Sequence, residues 1–92
     1  MPVLSEGEIE ERLKSLQGWE MKGGEITKTY NHKDFIDAIS FVNKVAILAE
    51  KANHHPDILI KYNRVTLTVS THDEGGITDR DFSLAKTIDG VK

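Results

Sequence analysis

Ninety-two residues with 12 basic and 15 acidic side chains, a net charge of −3 and 38% hydrophobic content describe one folded domain, residues 1–92, with apolar surface for a single core. The absence of cysteine excludes disulfides, thiol catalysis and zinc ribbons, and no apolar run approaches the roughly 20 residues of a membrane span. The charges are interspersed rather than gathered into a basic stripe, so no direct nucleic-acid partner and no membrane partner are expected.

Ser5 and Glu8 have capping-box spacing, and Ile9, Leu13 and Leu16 recur at helical intervals, which predicts a first helix to about Gln17 stopped by Gly18. Trp19 and Met21 alternate with polar neighbours, Gly23-Gly24 forms a turn, and Ile26, Thr27 and Tyr30 suit a return strand. Asn31 is placed to cap a long second helix over about His32–Asn53, with Asp34 in its first turn.

That helix carries two apolar stripes. Phe35, Ile39, Val42, Ala46 and Ala49 form one, and Phe41, Val45, Leu48 and Ala52 form another displaced around the cylinder. One can pack on a sheet, and leaving the other in water forfeits about 1.5 to 3 kcal/mol per large side chain, so self-association is expected. A small core without disulfides gives the same expectation.

Pro56 ends the helical region, and Ile58, Ile60 and Tyr62 alternate with polar and flanking residues as a strand. A turn at Asn63-Arg64 pairs Tyr62 with Val65, Ile60 with Leu67 and Ile58 with Val69, a register that gathers the larger apolar residues on one face. Gly75-Gly76 forms a loop, and Thr78 caps a last helix with Phe82, Leu84, Ala85 and Ile88 on its apolar side. The order is α-β-β-α-β-β-α, an α+β fold.

The same register brings His55 opposite His72, while Glu50 and His54, four apart on the helix, lie near the same strand end. A lone histidine at a helix C-terminus complements the macrodipole, which accounts for one imidazole and not for three. Asp81 stands three residues after Thr78, a reciprocal cap that also carries its carboxylate toward the histidines, and Arg80 beside it can pair with a neighbouring carboxylate. Imidazoles populate acid and base forms near neutrality, so the cluster points to proton transfer. Metal ligation is the competing chemistry; there is no HExxH motif, and adjacent His54 and His55 point apart in extended chain.

The ordered segments Glu50-Lys51-Ala52-Asn53-His54-His55-Pro56, Tyr62-Asn63, Ser70-Thr71-His72 and Arg80-Asp81 resemble the pterin-4a-carbinolamine dehydratase family, also known as the dimerisation cofactor of a hepatocyte homeodomain factor. A double histidine is a weak signature, whereas four segments at matching separations are specific. The similarity extends to Gly18-Trp19 and Lys33-Asp34-Phe35. It implies a four-stranded antiparallel sheet with helices on one face, homodimers through sheet edges and tetramers through the long helices. It implies a hydro-lyase that converts 4a-hydroxy-tetrahydropterin to quinonoid dihydropterin and water, recycling the tetrahydrobiopterin-type cofactor of aromatic amino acid hydroxylases.

By the same resemblance His54, His55, His72 and Asp81 are catalytic, and the residues contacting the pterin substrate are Glu50, Asn53, His54, His55, Ser70, Thr71, His72, Asp73 and Arg80. No cofactor and no metal are implied. Asn53 stands where the family often has aspartate, and Ile58 and Leu59 stand where it has aromatic residues, which removes a charge and stacking or rim contacts. The other function class is a non-enzymatic dimerisation or transcriptional coactivator module acting through the long helix. A cytoplasmic location is expected from the cysteine-free composition and the absence of a signal-peptide pattern.

Overall fold

At the amino terminus Ser5 Oγ accepts from the Glu8 N–H at 3.2 Å while Glu8 Oε1 accepts from the Ser5 N–H at 2.9 Å, closing the predicted capping box. The Ser5 backbone bond holds the Glu8 carboxyl below its usual range. In the computed structural model, which describes residues 2–91, the chain then runs α1 (Glu6–Leu13), β1 (Glu20–Lys22), β2 (Glu25–Asn31), α2 (Phe35–Ala52), β3 (Asp57–Lys61), β4 (Arg64–Val69), a 3₁₀ turn (His72–Glu74) and α3 (Asp79–Asp89). This is the expected α+β order, with a four-stranded antiparallel sheet arranged β1-β2-β4-β3.

The first helix ends at Leu13 rather than near Gln17. Beyond it the N–H groups of Lys14, Ser15 and Leu16 bond to carbonyls three residues back, and Ser15 Oγ donates to the Arg12 carbonyl, so the chain tightens into turns. Leu16 still packs on the core. In the first hairpin Lys22 pairs with Glu25, leaving Gly23-Gly24 as a two-residue turn whose first glycine has φ +58°.

One sheet face carries Ile26, Val65, Leu67 and Val69, all at most 1% exposed, packed with Phe41, Val45, Leu84, Ala85 and Ile88 from the helices. Hence the helices cover this face, while threonines line the other: Thr27 and Thr68 hydroxyls lie 3.1 Å apart, and those of Thr29 and Thr66 2.8 Å. Asp89, the last residue of α3, ties that helix to the sheet. Its carboxylate accepts from Trp19 Nε1 at 3.0 Å, Lys28 Nζ at 2.9 Å and the Tyr30 hydroxyl at 2.5 Å.

The second hairpin departs from the expected register by two residues. Ile60 pairs with Val65, Ile58 with Leu67 and Lys61 with Arg64, so the turn is Tyr62-Asn63, with Tyr62 at φ +52°. Asn63 decides this: its carbonyl accepts from the His32 N–H at 2.8 Å and its side-chain amide donates to the His32 carbonyl at 2.9 Å. Arg64 is thereby freed to pair with Asn31 in β2. A shift of two preserves which side chains share a face, so Ile58 and Ile60 stay on the side of Leu67 and Val65, while Tyr62 leaves the strand for the turn and is 66% exposed.

The cap of α2 is Asp34, whose carboxylate accepts from the Asp37 N–H at 2.8 Å; Asn31, the expected cap, instead ends β2. Ala38, Phe41, Val45 and Ala49 are buried with Val42 and Leu48 packed on the core, so members of both expected stripes face inward, and the exposed apolar residues Ile36 and Ile47 lie in neither stripe. Phe35, Ile36 and Ile47 are left 48%, 76% and 58% exposed. Near the amino terminus the Leu4 N–H bonds to the Ile77 carbonyl at 2.8 Å, and Gly76 leaves room for Val3, whose Cγ1 would lie 2.9 Å from any Cβ there.

Candidate functional site

Helix α2 terminates with Asn53 in the left-handed region, φ 50° and ψ 43°, a conformation asparagine tolerates better than most residues. The His54 N–H closes back onto the Ala49 carbonyl at 3.1 Å. This reversal separates the adjacent histidines. His54 turns inward and is 8% exposed, whereas His55 is exposed and pairs with Glu50 in the last turn of α2.

His54 meets the start of α3. Its Nε2 lies 2.5 Å from Asp81 Oδ1, and Asp81 is fully buried. The other carboxylate oxygen accepts from the Thr78 N–H at 2.9 Å and from the Thr71 hydroxyl at 2.9 Å. The capping box read from Thr78 and Asp81 is therefore present, and its carboxylate is the one that holds the imidazole. The buried carboxylate thus has both oxygens engaged, Oδ2 by Thr71 and Thr78 and Oδ1 by the imidazole.

A cavity of about 330 Å³ opens beside this pair, lined by Asn53, His54, His55, Ser70, His72, Asp73 and Arg80. This volume lies within the range of small-molecule sites. His72 enters at the 3₁₀ turn directly after β4, with its Nε2 3.5 Å from Ser70 Oγ. Arg80 donates from Nη2 to the Asn53 carbonyl at 2.9 Å, with Nη1 4.0 Å from Asp73 Oδ2, so the first turn of α3 is clamped to the end of α2.

Seven expected site residues thus line one cavity, and three do not. Glu50 stands outside on His55, while Thr71 and Asp81 are wholly buried and bonded to each other. The cross-strand pairing expected for His55 and His72 does not form, because the two-residue shift moves the register past it and the ladder stops at Asp57 and Thr68; both still line the cavity. Expected separately, the Thr78 hydroxyl and Thr71 prove to be joined, 2.7 Å apart, and nothing in their spacing shows it. Glu25, whose Oε2 lies 3.5 Å from Ser70 Oγ, was likewise not legible.

Among the described residues no three histidine, cysteine or carboxylate side chains converge as a metal site requires. A slightly larger cleft of about 370 Å³ lies between α1 and α3, but it is lined by the Arg12–Asp79 ion pair, serines and apolar side chains. The 330 Å³ cavity is the one that His54, His55 and His72 share.

The fold and cavity define a small α+β domain with a buried imidazole–carboxylate pair beside a pocket of small-molecule size. The family model described as "Pterin 4 alpha carbinolamine dehydratase" matches residues 2–91. A protein of Herpetosiphon aurantiacus, named "Putative pterin-4-alpha-carbinolamine dehydratase", is 50% identical over 91 residues, covering 99% of this chain and 95% of its own. One of the same name from Roseiflexus castenholzii is 54% identical over 89 residues, covering 97% and 96%. Among solved structures, the Brucella melitensis protein titled "transcriptional coactivator/pterin dehydratase" superposes with a TM-score of 0.90 at 38% identity, over 95% of each chain. The chain belongs to the pterin 4 alpha carbinolamine dehydratase family.

Proposed function

We propose that this protein dehydrates a 4a-hydroxy-tetrahydropterin to the quinonoid dihydropterin and water. The observation that carries the reading is the buried Asp81–His54 pair opening into a cavity shared with His55 and His72. In the elimination the C4a–O bond breaks as an imidazolium protonates the departing hydroxyl, and a neutral imidazole takes the N5 proton as the C4a–N5 double bond forms. Protons balance within the histidine set, and no redox step is involved. Water is the only by-product.

His54, its Nε2 held by Asp81, is fixed in orientation, while His55 and His72 are solvent-accessible and can exchange protons with bulk water. Family membership and the names of the relatives support the reaction and the pterin substrate. Cofactor recycling for an aromatic hydroxylase and a cytoplasmic location, expected from composition, belong to the same proposal; no helix among the described residues is long and apolar enough to cross a membrane.

Self-association is proposed with it. Phe35, Ile36 and Ile47 on α2 and Ile58 and Leu59 on the edge strand β3 are exposed apolar side chains, and burying each against a second copy gains about 1.5 to 3 kcal/mol. The same surface keeps the coactivator reading in view, since the Brucella protein's title joins both roles. Purified protein mixed with an authentic 4a-carbinolamine decides the main reading: accelerated loss over buffer supports it, and a folded sample that gives none rejects it.

A further inference from the structure

A threonine hydroxyl has one hydrogen, and a carboxylate has none to give, so the 2.9 Å contact between Thr71 Oγ1 and Asp81 Oδ2 is donated by Thr71. The 2.7 Å contact between the Thr71 and Thr78 hydroxyls must then be donated by Thr78. Thr78 Oγ1 in turn accepts from the Arg80 N–H at 3.2 Å. The result is a one-way chain of donors running from the α3 backbone through Thr78 and Thr71 to Asp81. Thr71, Thr78 and Asp81 are each 0% exposed, so no water competes with it.

We propose that Thr71 is a positioning residue for the dehydration rather than a substrate contact: its hydroxyl fixes the Asp81 carboxylate so that His54 keeps a proton on Nε2 and exchanges protons through Nδ1. Two donors on Oδ2, from Thr71 and the Thr78 N–H, leave Oδ1 as the oxygen that meets the imidazole. Without the Thr71 hydroxyl, Oδ2 keeps a single donor and the carboxylate can turn about its Cβ–Cγ bond. Around His54 the charged and titratable groups are Asp81 and Arg80 from α3, His72 and Asp73 from the 3₁₀ turn, and His55 beside it. The reaction served rests on the dehydratase reading; the protonation pattern does not.

The test combines ¹⁵N-histidine NMR with turnover of a 4a-carbinolamine across pH, for the wild type, Thr71→Val and Thr71→Ser. In the wild type, neutral His54 should carry its proton on Nε2. Thr71→Ser, which restores the donor, should keep that signature, with kcat within about twofold of wild type. Thr71→Val should show mixed tautomers and a kcat lower by about 10- to 100-fold at nearly constant KM, the loss expected for one bond to a charged group. A Thr71→Val variant with raised KM and intact kcat makes Thr71 a substrate contact and overturns the proposal. So does wild-type His54 with its neutral proton on Nδ1, a result that needs no variant to fold. A wild type inactive on the carbinolamine but with Nε2–H on His54, lost in Thr71→Val, supports the positioning role while rejecting the reaction.

Discussion

Replacing Asp81 separates the folding role of this carboxylate from its chemical one. Asp81→Ala removes the acceptor for the Thr78 N–H, which is buried and cannot turn elsewhere; an orphaned buried donor costs about 1 to 3 kcal/mol. The Thr71 hydroxyl can swing to Thr78, and His54 can move its proton, so their losses are smaller. This bond is the half of the capping box that the Asp81 side chain supplies, so the total is about 1 to 3 kcal/mol, against the roughly 5 to 15 kcal/mol that holds a domain together. Asp81→Asn differs. Its amide oxygen can accept from both Thr71 and the Thr78 N–H, so the stability loss falls to about 1 to 2 kcal/mol, a drop of roughly 4 to 8 °C in Tm per kcal/mol.

The Asn variant nevertheless points an N–H₂ group at His54 Nε2, which forces the imidazole proton onto Nδ1 and removes the counter-charge of its imidazolium. We expect kcat to fall by about 10² to 10⁴, the usual worth of a positioned acid or base. Urea unfolding measures the first effect and turnover of the 4a-carbinolamine under native conditions the second. An Asp81→Asn enzyme that melts lower yet keeps kcat within about threefold of wild type would refute the argument, because orientation of His54 would then contribute almost nothing.

His55→Ala and His72→Ala act at exposed positions, so we expect each to change stability by no more than about 0.5 kcal/mol while lowering kcat at least about tenfold, which melting curves run beside kinetics will check. Burial and the Asp89 carboxylate push the Tyr30 hydroxyl well above its ordinary pKa. The neutral phenol is therefore the form the fold favours, and this contribution is complete below the unfolded value of about 10 and lost as pH rises beyond it. Tyr30→Phe should cost about 1 kcal/mol at pH 7 and flatten the alkaline fall in stability; an equally steep fall in chemical denaturation series would count against this assignment. Ile36→Glu combined with Ile47→Glu should move light-scattering mass toward the monomer without unfolding, since both side chains already face solvent in the single chain.

Periodicity made the elements legible, but caps and turns went to competitors that lie far away in sequence. The α2 cap moved from Asn31 to Asp34 because Asn31 is taken up by pairing with Arg64, a contact 33 residues distant that helix spacing cannot register. The β3–β4 turn moved because Asn63 is claimed by His32. Both errors left the core intact: a two-residue slip retains the inward set, and apolar patterning specifies faces more strongly than ends. The convergence of the site residues on one cavity was legible for a related reason. His54, His55, His72 and Arg80 sit at element ends that the hairpin topology must bring together, whatever its register.

What the sequence could not reveal is that the shared Asp81 carboxylate is fully buried and also bonded by Thr71. A capping box is normally a surface device worth about 1 kcal/mol, and its carboxylate usually faces water. Here the box is buried because the 71–78 loop folds back through the Thr71–Gly76 bridge and lays Thr71 over the helix start. The carboxylate that begins α3 is consequently the same one that orients His54, so the helix cannot fray at its first turn without releasing the imidazole. Local opening of α3 and loss of His54 orientation are then a single event. Hydrogen exchange at the Thr78 and Asp81 amides should therefore slow or quicken in step with turnover across a series of α3 variants.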